Sequence, residues 1–210
     1  MGDVMGLFRR KQESGAIDHY GLTDWWLATF SAEERDYINS RYRPMGTSGG
    51  QLVGASAPAD ARSRAQAGWF LGIMAGWFRS REDRDIALRI LAKAEEASGV
   101  SGSVTDRHFA YQGLIQTHYR DRDARPGALE DAIVACQNQV TIAPKVSAAM
   151  RREYRGAPLP RHVGFDQLVV IRAKQGDYPE AVRLCREADR QGWRGDWDKR
   201  MEKYEKRLHK

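Results

Sequence analysis

The sequence predicts an all-α fold. From Arg64 almost to the C-terminus apolar residues recur at helical spacing, no stretch alternates with period two, and Pro, Gly and capping residues fall between the periodic segments. The 210 residues are 41% apolar and include six Trp, eight Tyr and six Phe, too many large side chains for a wholly disordered chain. Such a length buries a core without disulfide or metal staples.

The start, Met1 to Lys11, has no apolar core of signal-peptide length, and Arg9-Arg10-Lys11 follows its apolar residues where a signal peptide would precede them. Position 6 is Gly where a myristoylation signal needs Ser or Thr. Trp25, Trp26, Leu27 and Phe30 then mark a short helix. Ser31 and Glu34, three apart, form a capping box that opens a second one, with Tyr37, Ile38 and Tyr42 on one side and Pro44 as its stop. Residues 1–43 are thus an N-terminal helical segment. Residues 44–62, rich in Gly, Ser, Ala and Pro, read as a linker.

Arg64 to Phe78 is apolar around most of its circumference, which predicts a buried helix. Its Gly68, Gly72 and Gly76 form a flat strip suited to close approach by another backbone, and the Trp25–Phe30 segment is a candidate to pack there. At about 1.5 Å per residue this run covers roughly 20 Å, short of the roughly 30 Å of a bilayer core. Ile86, Ala87, Ile90, Leu91 and Ala94 line the next helix, and Gly99 and Gly102 punctuate it. Helix Thr105 to Tyr119 follows. Another starts near Pro126, carries Ala132, Ile133, Cys136 and Val140, and is expected to end before Pro144, leaving Lys145 to Arg155 as a separate basic helix.

After Pro158 and Pro160, His162 to Lys174 and a helix opened by Asp177 form a pair. Asp177 caps, and Glu180 completes a capping box. The last helix, opened by Asp196, carries the stripe Trp197, Met201, Tyr204 and Leu208.

Phe165 to Trp193 resembles a tetratricopeptide repeat. Phe165 and Leu168 precede a Gly176-Asp177-Tyr178 turn, then Ala181, Cys185 and Ala188 supply small, bulky and small. Leu71, Met74, Ala75, Phe78, Ala87, Leu91 and Ala94 repeat the pattern, as do Tyr111, Leu114, Ala132, Cys136 and Pro144. Ala87, Ala132 and Ala181 stand 45 and 49 apart, against roughly 34 for the family. Arg172, Val169 and Gln139 depart from its pattern. The resemblance implies an α-α superhelix of irregular helical hairpins over 63–193, with 194–210 as a basic cap helix over the last apolar face.

It also implies a concave groove lined by first helices of each pair. Candidate partner-binding residues are therefore Gln112, Gln116, Arg120, Asp166 and Lys174, whose long polar side chains suit peptide recognition. Charge gives a second candidate. Lys and Arg total 34 against 28 Asp and Glu, a formal net charge of +6. Five cations, among them Arg151, Arg152, Arg155 and Arg161, stand against Glu153 in 145–162, and six cations stand against two Glu in 199–210. Such surfaces permit nucleic acid as an alternative partner, although no nucleic-acid motif accompanies them.

The five His show no metal-ligand spacing, and His108 and His118 point to different helix faces. No nucleophile elbow, phosphate-cradling loop or Cys–His pair occurs, which argues against an enzyme, a metal or a cofactor. Cys136 and Cys185 fall on core-facing positions. The reading is a cytoplasmic, non-catalytic scaffold for a protein or peptide, with no membrane partner.

Overall fold

The computed structural model describes residues 15–44, 52, 64–101 and 103–208. The Met1–Lys11 start, most of the 44–62 linker, Gly102 and His209 lie outside the described residues. The chain divides into two units, Met1–Ala67 and Gly68–Lys210. Among the described residues every regular element is a helix, joined only by an isolated bridge between Leu159 and Trp193. The fold is all-α.

The first unit contains α1 (Ala16–His19), α2 (Thr23–Thr29) and α3 (Ala32–Arg41). The capping box of α3 is present: the Glu34 N–H donates to Ser31 Oγ at 3.2 Å and the Ser31 N–H to Glu34 Oε2 at 2.9 Å. Ile17, Leu22, Trp26, Phe30, Ile38, Tyr42 and Leu52 are buried, with Trp26 and Phe30 rings 5.1 Å apart. Leu27 and Tyr37, expected on apolar faces, are exposed.

The second unit runs through α4 (Ala67–Ala75), α5 (Arg84–Ser101), α6 (Val104–Arg120), α7 (Ala128–Glu153), α8 (Val163–Lys174), α9 (Tyr178–Arg190) and α10 (Trp197–Leu208). From α5 onward each helix packs on the next in chain order, and α6 also meets α8. Ala87, Ala132 and Ala181 are all buried, as are Cys136 and Cys185, which are free thiols. Small side chains at these points let neighbouring helices approach while Ile90, Leu91, Ile115, Leu168 and Leu184 fill the space between them.

Five expectations are corrected. Helix α7 does not end before Pro144 but continues through it to Glu153, so no separate 145–155 helix exists. An interior Pro costs about 3 kcal/mol. Pro144 itself is exposed, whereas Ala143, Val146 and Met150 are buried on the opposite side, and their packing outweighs that cost. The same helix starts at Ala128 and not at Pro126, because Gly127 adopts φ 77°, a left-handed conformation suited to Gly. Glu180 does not close a box with Asp177. Asp177 Oδ1 accepts the Glu180 N–H at 3.2 Å, but the Glu180 carboxylate is taken by Arg183 Nε at 2.6 Å.

On α10, Trp197 and Tyr204 are buried and Leu208 is exposed, so the stripe covers α9 over two turns only. The Asp196 carboxylate holds Arg200 Nε at 2.9 Å. Finally, α4 is not buried all round: Trp69 and Ile73 are 51% and 42% exposed on one face, and Trp77, in the turn that follows, is 39% exposed. Of the glycine strip, only Gly68 meets another helix closely, at Ala94 and Ser98 of α5. A Cβ added at Gly72 would meet nothing within 4 Å.

Candidate functional site

Helices α4 and α6 flank a groove of about 350 Å³. Asp106, in the first turn of α6, accepts from the Trp69 backbone and so holds the start of α4. Burial raises the Asp106 carboxyl above its usual value despite this bond and the one from Ser103. The floor is made where α5 and α6 come closest: a Cβ on Gly113 would lie 2.5 Å from Leu91 Cδ2. Because Gly72 also lacks a side chain, the groove stays open between the two helices.

The walls differ in chemistry. Trp69 and Ile73 of α4 face Phe109 of α6, all substantially exposed. Gln112, Gln116 and Arg120 recur every fourth residue on α6, so they share one face, and all three line the groove. Neither Gln amide hydrogen-bonds to another described residue. Arg120 Nη1 donates to the Arg79 carbonyl at 2.5 Å, which places both cations at one end. Among the described residues the groove lining contains no Asp or Glu.

Asp166 and Lys174 do not line this groove. Asp166 accepts Arg161 Nε and Nη2, both at 3.1 Å, and lies 3.2 Å from Arg200 Nη2. Lys174 is exposed at the end of α8. The basic candidates divide similarly. Arg161 is committed to Asp166, whose carboxylate raises the Arg161 pKa, and Arg151 Nη2 donates to the Gln191 carbonyl at 2.6 Å. Arg152 and Arg155 are exposed and pair with no carboxylate among the described residues.

A second constellation joins residues that are far apart in sequence. His108 of α6, His162 before α8 and Trp193 before α10 are buried together. The imidazole centroids lie 4.9 Å apart, and the indole stacks on His108 at 5.8 Å and meets His162 edge-on at 4.6 Å. Gln139 of α7, fully buried, donates to the His108 carbonyl at 2.8 Å and accepts the Gly164 N–H at 2.6 Å. Spacing within a single helix did not reveal the His pair, since its members are 54 positions apart. Gln139 did leave a signal, as a polar side chain where the resembled repeat pattern has Ala.

Gln139→Leu keeps the volume but leaves the buried Gly164 N–H unpaired. It is expected to lower stability by about 2–3 kcal/mol in urea unfolding. A loss below about 1 kcal/mol would show that the bridge carries little.

Burial pushes the Cys136 and Cys185 thiols up to about 12 and about 11, so both remain protonated. No three His, Cys, Asp or Glu side chains converge as metal ligands among the described residues, and no helix there is long and apolar enough to cross a membrane. Comparison with known proteins finds no matching family model, curated protein or solved structure.

Proposed function

We propose that the chain is a non-catalytic scaffold that binds a protein or peptide, built from irregular tetratricopeptide-like helix hairpins, with its ligand seated between α4 and α6. The observation that carries this reading is the groove itself. It sets Trp69, Ile73 and Phe109 in water beside two cations and two glutamines whose amides have no hydrogen-bond partner among the described residues. Exposed aromatics provide anchoring area, while amides along a helix face can bond a peptide backbone. Chain-order packing of α5 to α10 and the buried alanines support the hairpin-array reading.

Gly72 separates binding from folding. Because a Cβ built at position 72 meets open space, Gly72→Leu directs a side chain into the groove and replaces a poor helix former. Its stability is expected to match or exceed wild type by about 0.5–1 kcal/mol. Peptides selected from a random display library on the full chain are expected to bind Gly72→Leu at least about tenfold more weakly. Equal binding to both proteins contradicts the reading.

The exposed, uncommitted Arg152 and Arg155, with Lys199, Lys203, Lys206 and Arg207 on α10, favour one alternative: nucleic-acid binding through segments 145–162 and 199–210. Single-stranded and duplex oligonucleotides titrated at rising salt distinguish it, because phosphate-driven affinity falls steeply with salt while apolar anchoring does not.

A further inference from the structure

The N-terminus of α8 is held by two neutral side chains. His162 Nδ1 accepts the Phe165 N–H at 3.2 Å, and Gln139 accepts the Gly164 N–H. The first bond exists only while Nδ1 is unprotonated, since both nitrogens of an imidazolium donate and neither accepts. A positive charge there would also oppose the positive end of the α8 dipole. His162 Nε2 and His108 Nδ1 are buried without hydrogen-bond partners among the described residues, and no carboxylate acts on either ring to compensate an added charge.

We propose that this junction is an acid-released latch: protonation of His162 removes the α8 cap, and the adjoining His108 charge then separates α8 to α10 from α6 and α7.

The charged groups on every packed element leave the latch uncompensated. On α6, Asp106 is engaged with Ser103 and the Trp69 backbone, and the Arg107 guanidinium lies beside Gly99. Helix α7 presents the neutral Gln139. On α8, Asp166 is held by Arg161 and Arg200, and at the start of α10 Asp196 is held by Arg200. Arg194 instead places its backbone N–H on the Pro160 carbonyl. The neighbouring His108 ring disfavours a charge on His162, and together with burial it outweighs the hydrogen bonds to the His162 and Gln139 backbone that favour one.

Burial lowers His108 from 6.5 to about 4, and burial with the neighbouring ring lowers His162 from 6.5 to about 3. Both pKa values are depressed in the closed state. The latch is therefore fully closed above 6.5, and its closure weakens as pH falls toward about 4, up to tenfold per pH unit for each ring.

Hydrogen exchange on the full chain, corrected for intrinsic rates, tests the latch between about pH 7 and pH 4.5. Amides of 159–166 and 191–197 are expected to lose protection at higher pH than those of α5. His162→Asn, which caps through an amide oxygen and does not titrate, is expected to retain protection about one pH unit further into acid. In the wild-type chain, imidazole NMR is expected to find His162 neutral at about pH 5. Loss of protection at one common pH throughout, the same acid profile in His162→Asn, or a His162 that titrates near its free value with its cap bond intact would overturn the proposal. The NMR readout holds even if the variant fails to fold.

Discussion

Asp121→Ala is expected to lower the free energy of unfolding by about 3–5 kcal/mol. Arg84 at the start of α5 and Asp121 at the end of α6 form an ion pair that is more than nine-tenths buried. Residue 84 opens one helix and residue 121 closes the next, so the pair fixes the register of two antiparallel neighbours. Removing the carboxylate strands a guanidinium inside the protein, beside the further positive charges of Arg81, Arg120 and Arg125. The effect comes from the unpaired charge, not from the bond itself. Replacing both partners, as in Arg84→Met with Asp121→Leu, is therefore expected to restore stability to within about 1 kcal/mol of wild type. Urea unfolding of the two single variants and the double variant measures this. A single-variant cost below about 1 kcal/mol, or a double variant as unstable as Asp121→Ala, contradicts it.

Trp193→Ala is expected to cost about 3–5 kcal/mol, the usual loss for a fully buried aromatic. The indole stacks on His108 and meets His162, its Nε1–H donates to Gln191 Oε1 at 3.0 Å, and the Trp193 carbonyl accepts Trp197 Nε1–H at 2.7 Å. The indole therefore joins α6 to the cap of α8, while the link to α10 runs through the Trp193 backbone and survives the substitution. In an array where helices pack in chain order, damage is confined to neighbours. Hydrogen exchange is expected to rise in α9 and α10 while α5 stays protected. Uniform loss of protection across α5 to α10 would instead indicate a single cooperative bundle.

Much of the fold was legible because the signals were local. Ser31 and Asp177 cap where helix-cap chemistry requires an oxygen, and Ala87, Ala132 and Ala181 lie in the interior as their period demands. Pro144 misled because a local cost was weighed without the packing of Ala143, Val146 and Met150 that offsets it. Trp69, Ile73 and Trp77 misled for a different reason. An apolar face predicts burial only if a partner covers it, and no periodicity reports whether one does.

The candidate site was legible in part. Gln112, Gln116 and Arg120 came from the resemblance to the repeat family, and the structure brings them together with Gly72 and Gly76. Asp166 could not be placed, because its partners Arg161 and Arg200 come from another turn and another helix. The buried junction was hidden for the same reason, since His108, Gln139, His162 and Trp193 meet only through tertiary packing.

Photo-cross-linking on the full chain tests the central claim most directly. A benzophenone side chain is placed at Gln116, in the groove, and separately at Arg152, on the basic surface, and each protein is irradiated with a peptide selected on the wild type. The account predicts cross-linking from position 116, suppressed when Gly72→Leu is combined with it, and little from position 152. Cross-linking from 152 alone, or from 116 undiminished by the filled groove, would contradict it.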